Sequence, residues 1–287
     1  MLRDAPRAVN GVNCHKMMLD RLPIVAGRLS LLAGLLLPIS AAALLIRADR
    51  DDAEYLEMAT RYTSTVSIDV PGGGEGVLID ARWILTSARV GTALKQMKDR
   101  PSIKVGAKDI AIQGVYVNPV WRPGADSADL ALVYLKGTAS VTPTPIYRGN
   151  DEAGKSVVIV GNGDTGKIGD QATRQDHKMR AGINTVDRLS PRVFSATVKS
   201  GDDASDLQGA FTANESGAPA FYQDDSKELF VVGIASSSKD TNGDGVVNAG
   251  DSQVFVRVSG YADWIAGTIE QVYKDEVNDL LDGLNHS

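Results

Sequence analysis

The stretch Gly74–Val90, GEGVLIDARWILTSARV, holds two short apolar runs, Gly76–Ile79 and Trp83–Thr86, parted by Asp80, Ala81 and Arg82. Four-residue runs with branched and aromatic members, broken by a short polar connection, read as two strands joined by a tight turn. The pattern repeats in both directions. Further strands are predicted at Thr65–Val70, Ile103–Val105, Ile110–Val117, Leu130–Leu135, Ser156–Val160, Arg192–Val198, Ala218–Tyr222, Leu229–Ala235 and Gln253–Val258. Turn signals separate them: PGGG at 71–74, NGDTG at 162–166 and SGDD at 200–203. Many short strands with turns between them predict an antiparallel barrel or sandwich. The acidic lead IRADRDDAEYLEMATRYT (46–63) suits an N-terminal helix or turn, and the polar stretch TRQDHKMR (173–180) reads as a surface loop. From Ser259 the period changes. Tyr261, Trp264, Ile265, Ile269, Val272, Tyr273, Val277, Leu280, Leu281 and Leu284 recur mostly at three and four, which predicts an amphipathic helix packed on the barrel.

The chain has 287 residues, 43% hydrophobic and 23% charged, enough for a sizeable core and one continuous fold of about 230 residues. Its 29 Gly and few aromatics disfavour a helical bundle. The formal charge is −6, and residues 44–287 alone carry 25 basic against 34 acidic side chains. Nucleic acid as a partner is argued against, because phosphate binding draws on clustered Lys and Arg.

Eighteen uncharged residues, LSLLAGLLLPISAAALLI, lie between Arg28 and Arg47, behind Arg21 and Arg28 and with Ala41–Ala43 inside them. This is a secretory signal layout, residues 1–43, with a start at Met17 or Met18 and cleavage after Ala43. The alternative is an uncleaved anchor, for which eighteen residues just suffice. The only cysteine is Cys14, so the exported chain would hold no disulfide. A secreted or periplasmic location in a bacterium is expected on that composition.

Three stretches taken in order, GEGVLIDARWILTSARV (74–90), DSADLALVYL (126–135) and NESGAPAF (214–221), resemble the trypsin-like serine proteases, and VSGYADWI (258–265) resembles that family's C-terminal helix entry. The resemblance spans about residues 46–269, taken as the protease domain, with 270–287 as a helical tail. It implies an all-β, chymotrypsin-like double antiparallel β-barrel with a C-terminal α-helix. It places Ser216 at the nucleophile, Asp129 at the carboxylate that orients the base, and Arg89 at the position of the histidine base. It puts the oxyanion hole on the backbone of Asn214 and Ser216. Glu215 falls where the family's aspartate pairs with a new N-terminal amine. Ala210 takes the specificity position, implying a small or apolar side chain rather than Lys or Arg, and Ser236 and Ser238 lie on the strand along which substrates pair.

A guanidinium stays protonated beyond pH 12 and has no acceptor lone pair, so Arg89 can neither take a serine proton nor return it. An Arg89–Asp129 ion pair, bidentate from the guanidinium, is the expected consequence. Beyond residue 43 the histidines are His177 and His286, both read as solvated. The resulting expectation is an exported, catalytically impaired protease homologue that binds a peptide or protein. The alternatives are an active serine endopeptidase with a non-standard base, and an envelope protein using the barrel as a scaffold.

DTNGDGVVNAGD (240–251) carries oxygen donors at loop positions 1, 3, 5, 9 and 12, namely Asp240, Asn242, Asp244, Asn248 and Asp251. Gly245 stands at position 6, and Val246 offers a carbonyl at 7. This spacing gathers oxygens around Ca2+ and resembles the loops of EF-hands and dockerins. The other reading is a plain Asn/Asp/Gly turn. Calcium is expected to order the rim of the cleft.

Overall fold

A computed structural model describes residues 44–170, 174–211 and 215–286. The expected signal segment 1–43 and Asn214 lie outside these. The first elements are β1 (Leu45–Ile46), α1 (Asp52–Ala59), β2 (Thr65–Ser67), β3 (Glu75–Asp80), β4 (Trp83–Thr86), α2 (Ala88–Gln96), β5 (Ile103–Val105), β6 (Lys108–Ile110), β7 (Ile112–Val117) and β8 (Ala131–Leu135). They continue with β9 (Ser156–Lys167), β10 (Arg174–Thr185), β11 (Arg188–Leu189), β12 (Val193–Thr197), β13 (Gly209–Ala210), β14 (Pro219–Gln223), β15 (Leu229–Lys239), β16 (Ser252–Arg257) and α3 (Ala262–Asn285).

Successive side chains of a strand point to opposite faces, and here both faces are covered. In β4 and β8, Ile84, Val133 and Leu135 enter a core confined to the first half. Their neighbours Trp83, Leu85, Leu132 and Tyr134 enter a second core shared with Val160, Phe221, Val231, Ile234 and Val256 of the other half. A third core fills the second half around Phe194, Phe211 and Phe255. The first half is the sheet β2-β3-β4-β8-β7 with the hairpin β5-β6. The second is β11-β12-β16-β15-β14-β9-β1-β13, with β10 on β9. Two β units, antiparallel but for the short parallel pair β1–β9, meet along a shared apolar seam, with a helix at the C-terminus, and this is the architecture the resemblance implied.

Two differences from the sequence reading have physical causes. β9 does not stop at Val160 but runs through NGDTG to Lys167, and the supposed loop 173–180 belongs to its partner β10, which bulges between Gln175 and Met179. The polar letters there serve a buried clamp. Arg180, fully buried, meets Asp52 through Nε at 2.6 Å and Nη2 at 2.7 Å, and meets Asp176 through Nη1 at 2.9 Å and Nη2 at 2.8 Å. The hairpin is thereby tied to α1, which opens with a capping box of Asp51 and Glu54. Second, the chain after Thr86 turns into helix α2. Ser87 caps it, accepting from the Val90 N–H at 3.2 Å. Gly91 lets it press on β8, where an added Cβ would sit 2.4 Å from that of Ala131. At the C-terminus α3 runs unbroken across 269/270, the single helix that the period from Tyr261 to Leu284 predicts.

Candidate active site

The seam between the halves gathers the residues singled out from sequence. The first half supplies Ser87 and Arg89, at the cap and first turn of α2, and Asp129, at the entry to β8 after Ala128 in a left-handed conformation (φ 59). The second half supplies Ser216, in the turn before β14, and Ser236 in β15. Gly217 makes the Ser216 turn possible. Its φ is +97, and a Cβ there would lie 2.2 Å from the Glu75 carbonyl oxygen.

Asp129 is 1% exposed and its carboxylate is fully engaged. Oδ1 accepts from the Arg89 backbone N–H at 3.1 Å. Oδ2 accepts from Arg89 Nε at 3.3 Å and from Ser236 Oγ at 2.8 Å. Burial pushes the Asp129 carboxyl above the ordinary range, against the opposing pull of the Arg89 charge and of these hydrogen bonds. The ion pair is therefore present, but the expected bidentate guanidinium is corrected: only Nε reaches the carboxylate. The backbone amide and Ser236 already occupy the remaining acceptor positions. The Arg89 side chain is 40% exposed, so its charge stays partly in solvent.

Ser216 is 9% exposed and its Oγ donates to Ser87 Oγ at 2.7 Å. Among the described residues no histidine, lysine or carboxylate bonds that hydroxyl. His177 is exposed on the β10 bulge at φ 53, and His286 pairs with the Asp282 carbonyl at 2.8 Å. Arg89 and Ser216 share a cleft of about 150 Å³ with Val70, Pro71, Gly72, Gly73, Val90 and Ala93. Neighbours of this kind offer a hydroxyl and a cation but no proton acceptor of useful basicity.

The expected substrate-binding residues are placed differently. Ala210 is fully buried in β13, where its backbone pairs with Leu45 of β1. Ser236 is 3% exposed and turned to Asp129. Ser238 accepts from Gln253 Nε2 at 2.8 Å. Between them Ser237 Oγ donates to Asp126 Oδ1 at 2.6 Å, fastening the loop that carries Asp129.

Two residues escaped the sequence reading. Ser87 was legible as an N-cap serine ahead of Val90 and Leu94. Glu75 is a carboxyl in an apolar strand, 2% exposed, its backbone N–H donating to the Ser216 carbonyl at 3.2 Å. Its Oε1 accepts from the Asn162 N–H at 3.4 Å, and Oε2 has no partner among the described residues. Burial pushes its pKa up to about 8. Glu215, 1% exposed, brings Oε1 within 2.9 Å of where a Gly161 Cβ would stand, so two buried carboxyl groups flank the Gly161–Asn162 backbone beneath the Ser216 turn.

The loop 240–251 is an exposed excursion between β15 and β16. Asp240 accepts N–H bonds from Asn242 (3.1 Å), Gly243 (2.6 Å) and Gly245 (2.8 Å), which hold its carboxyl below the usual range. Asn242 and Asn248 donate to Asp244 Oδ2 at 2.9 and 2.7 Å. Val246 donates its N–H to Asp244 Oδ1 at 2.8 Å. Asp251 is fully buried and closes the loop, accepting from Thr241 N and Oγ1 and from Asn248 N. The carboxylates of Asp240 and Asp244 are thus engaged by hydrogen bonds within the loop. Among the described residues no three His, Cys, Asp or Glu side chains converge as a metal cluster.

Compared with known families, the trypsin family model matches residues 57–265, a span that contains Arg89, Asp129, Ser216 and the 240–251 loop. No curated protein sequence matches the chain.

Proposed function

The chain belongs to the trypsin family of serine proteases, and from that premise we propose that it is an exported, peptide-binding member whose hydrolytic chemistry is silenced at Arg89. The observation that carries this reading is the Arg89 Nε–Asp129 Oδ2 pair at 3.3 Å. Acyl transfer by a serine requires a neighbour that takes the hydroxyl proton during attack and returns it to the leaving amine. The Arg89 guanidinium has no lone pair to accept a proton, and Ser87, which receives the Ser216 hydrogen bond, is no stronger a base than Ser216. Asp129 binds Arg89 in place of orienting an imidazole. What remains is a cleft holding Arg89 and Ser216, with the half-buried Ser237 and Ser238 of β15 as the strand on which an extended peptide would add main-chain hydrogen bonds. Unmodified protein incubated with a fluorophosphonate probe is expected to give no adduct on Ser216 by peptide mass spectrometry. An adduct there would reveal an activated serine and return the chain to the active proteases.

Two further features complete the proposal. The uncharged run after Arg28 and the absence of cysteine beyond Cys14 support export. The donor spacing of 240–251 supports calcium binding, with Asp240, Asn242, Asp244 and Asn248 as side-chain ligands. The ion would neutralise Asp240 and Asp244 and stiffen the connection between β15 and β16. A calorimetric calcium titration is expected to show weak binding, at ~10⁻⁴ to 10⁻³ M, abolished in Asp240→Ala. Absence of heat at millimolar calcium would remove this part of the proposal.

A further inference from the structure

The cleft beside Ser216 holds donors that the pairing with Asp129 leaves unused. Asp129 takes only Nε of Arg89, at 3.3 Å, and accepts besides from the Arg89 backbone N–H at 3.1 Å and from Ser236 Oγ at 2.8 Å. Nη1 and Nη2 of Arg89 therefore have no hydrogen-bond partner among the described residues, and the side chain stays 40% exposed. Arg89 and Ser216 line the same cleft of about 150 Å³, and the rest of its wall is apolar or glycine, with no carboxylate. A guanidinium is a planar fork whose parallel N–H groups match the two oxygens of a carboxylate. Here Asp129 fixes the fork through Nε and leaves its other edge to a ligand.

We infer that the Nη edge of Arg89 holds a carboxylate of the bound peptide, supplied by its C-terminus or by an acidic side chain. The inference rests on the peptide-binding reading above and states what such a peptide must carry. Size agrees, since 150 Å³ equals roughly five waters of ~30 Å³ each, room for a carboxylate and a small neighbouring group. The surroundings agree as well. Val70, Pro71, Val90 and Ala93 bring no competing acceptor side chain, and an apolar wall strengthens a charge-assisted hydrogen bond by excluding water from it. Placement is the third point. β15, on which the peptide would lie, is tied to both partners of the cleft. Ala235 accepts from the Gly217 N–H at 3.0 Å and donates to the Ala218 carbonyl at 2.8 Å, while Ser236 meets Asp129. A peptide paired with this strand is thus led to the Ser216 turn and to Arg89 together. The residue that cannot serve as a base serves as a fixed cation in the same place.

Two pairs of peptides titrated into the full chain and followed by NMR test this. The first pair is acetyl-tetraalanine as the free acid and as the amide. The second is acetyl-Ala-Ala-Glu-Ala-amide and its Gln counterpart, so that each pair differs by one carboxylate. In at least one pair the carboxylate member is expected to bind about tenfold more tightly or better, and to move the Arg89 Nε–H signal. The pair that shows the preference tells terminus from side chain. Arg89→Met should remove the preference, and Arg89→Lys, a point charge without the fork, should keep only part of it. Equal binding within both pairs overturns the inference and leaves peptide binding standing, as does a preference that survives Arg89→Met. If Arg89→Met does not fold, an undiminished preference in Arg89→Lys overturns the bidentate contact. Failure of all four peptides to bind strikes the peptide-binding reading itself, and the inference with it.

Discussion

Arg89→His is expected to make Ser216 reactive, with fluorophosphonate labelling and peptide hydrolysis rising at least ~10³-fold over the unmodified chain. Loss of the base from such a constellation costs about 10⁶ in turnover, so restoring it has a large range to recover. The surroundings are ready for an imidazole. Asp129 lies buried with Oδ2 facing the position 89 side chain at 3.3 Å, and Ser236 steadies it at 2.8 Å. One ring nitrogen can donate to that oxygen, which leaves the other toward the cleft shared with Ser216. One obstacle remains. The Ser216 hydroxyl is turned to Ser87, and that hydrogen bond, worth about 1 kcal/mol, opposes rotation toward the new base. Arg89→His/Ser87→Ala should therefore exceed Arg89→His by roughly fivefold, and Ser216→Ala should abolish both gains. If Arg89→His folds with unchanged melting yet stays unreactive, the missing imidazole is not what silences the site, and the fault lies in the turn that carries Ser216.

How much of this was legible in the sequence depended on how local each signal is. Trp83–Thr86 and Ile103–Val105 were placed to the residue because short apolar runs with turn residues beside them need no distant information. β10 was missed because its letters, Arg, Gln, Asp, His and Lys, describe a loop until Arg180 is seen between Asp52 and Asp176, one of them 128 positions away. Asp129, Arg89 and Ser216 could be picked out as a set by resemblance, and the seam brings them together as that order implied. What resemblance could not supply was the hydrogen-bond inventory. The Arg89 backbone amide claims one oxygen of Asp129, and so a bidentate fork became a single Nε contact. Ala210 was assigned by its place six residues before Ser216, and its pairing with β1 could not be foreseen because the two residues of that strand, Leu45 and Ile46, belong to the apolar run after Arg28. Glu75 gave only the faint signal of an acid among glycines and valines. Its burial follows from the way β3 passes beneath the Ser216 turn.

That burial has the second large consequence. Folding stability is expected to fall as pH rises from about 4.5 to about 8, and Glu75→Gln is expected to remove most of the fall. The unfolded chain ionises Glu75 near 4.5, while the folded chain keeps the proton up to about 8. Between those values the folded state binds more protons than the unfolded state, so each pH unit lowers the unfolding free energy by about 1.4 kcal/mol. Below 4.5 both states are protonated and the contribution is fully present. Above about 8 both are ionised and the loss is complete, on the order of a few kcal/mol. Asp129, also raised by burial, adds to the same trend, while Asp49 and Asp240, lowered by their hydrogen bonds, act only at acid pH. Urea unfolding at pH 5, 7 and 9 should find the two proteins similar at pH 5 and Glu75→Gln several kcal/mol more stable at pH 9. Parallel profiles would mean that Glu75 is charged in the folded chain and compensated by its surroundings. The position of Glu75 also says where an ionised chain gives way first. Its N–H holds the Ser216 carbonyl, and its own carbonyl accepts the Thr86 hydroxyl and lies against Gly217. Deprotonation places a bare charge beneath the Ser216 turn and beside Glu215, so the turn should loosen in amide exchange at pH 9 before the cores of either half. In Glu75→Gln, amide exchange of the turn should show no such early loosening.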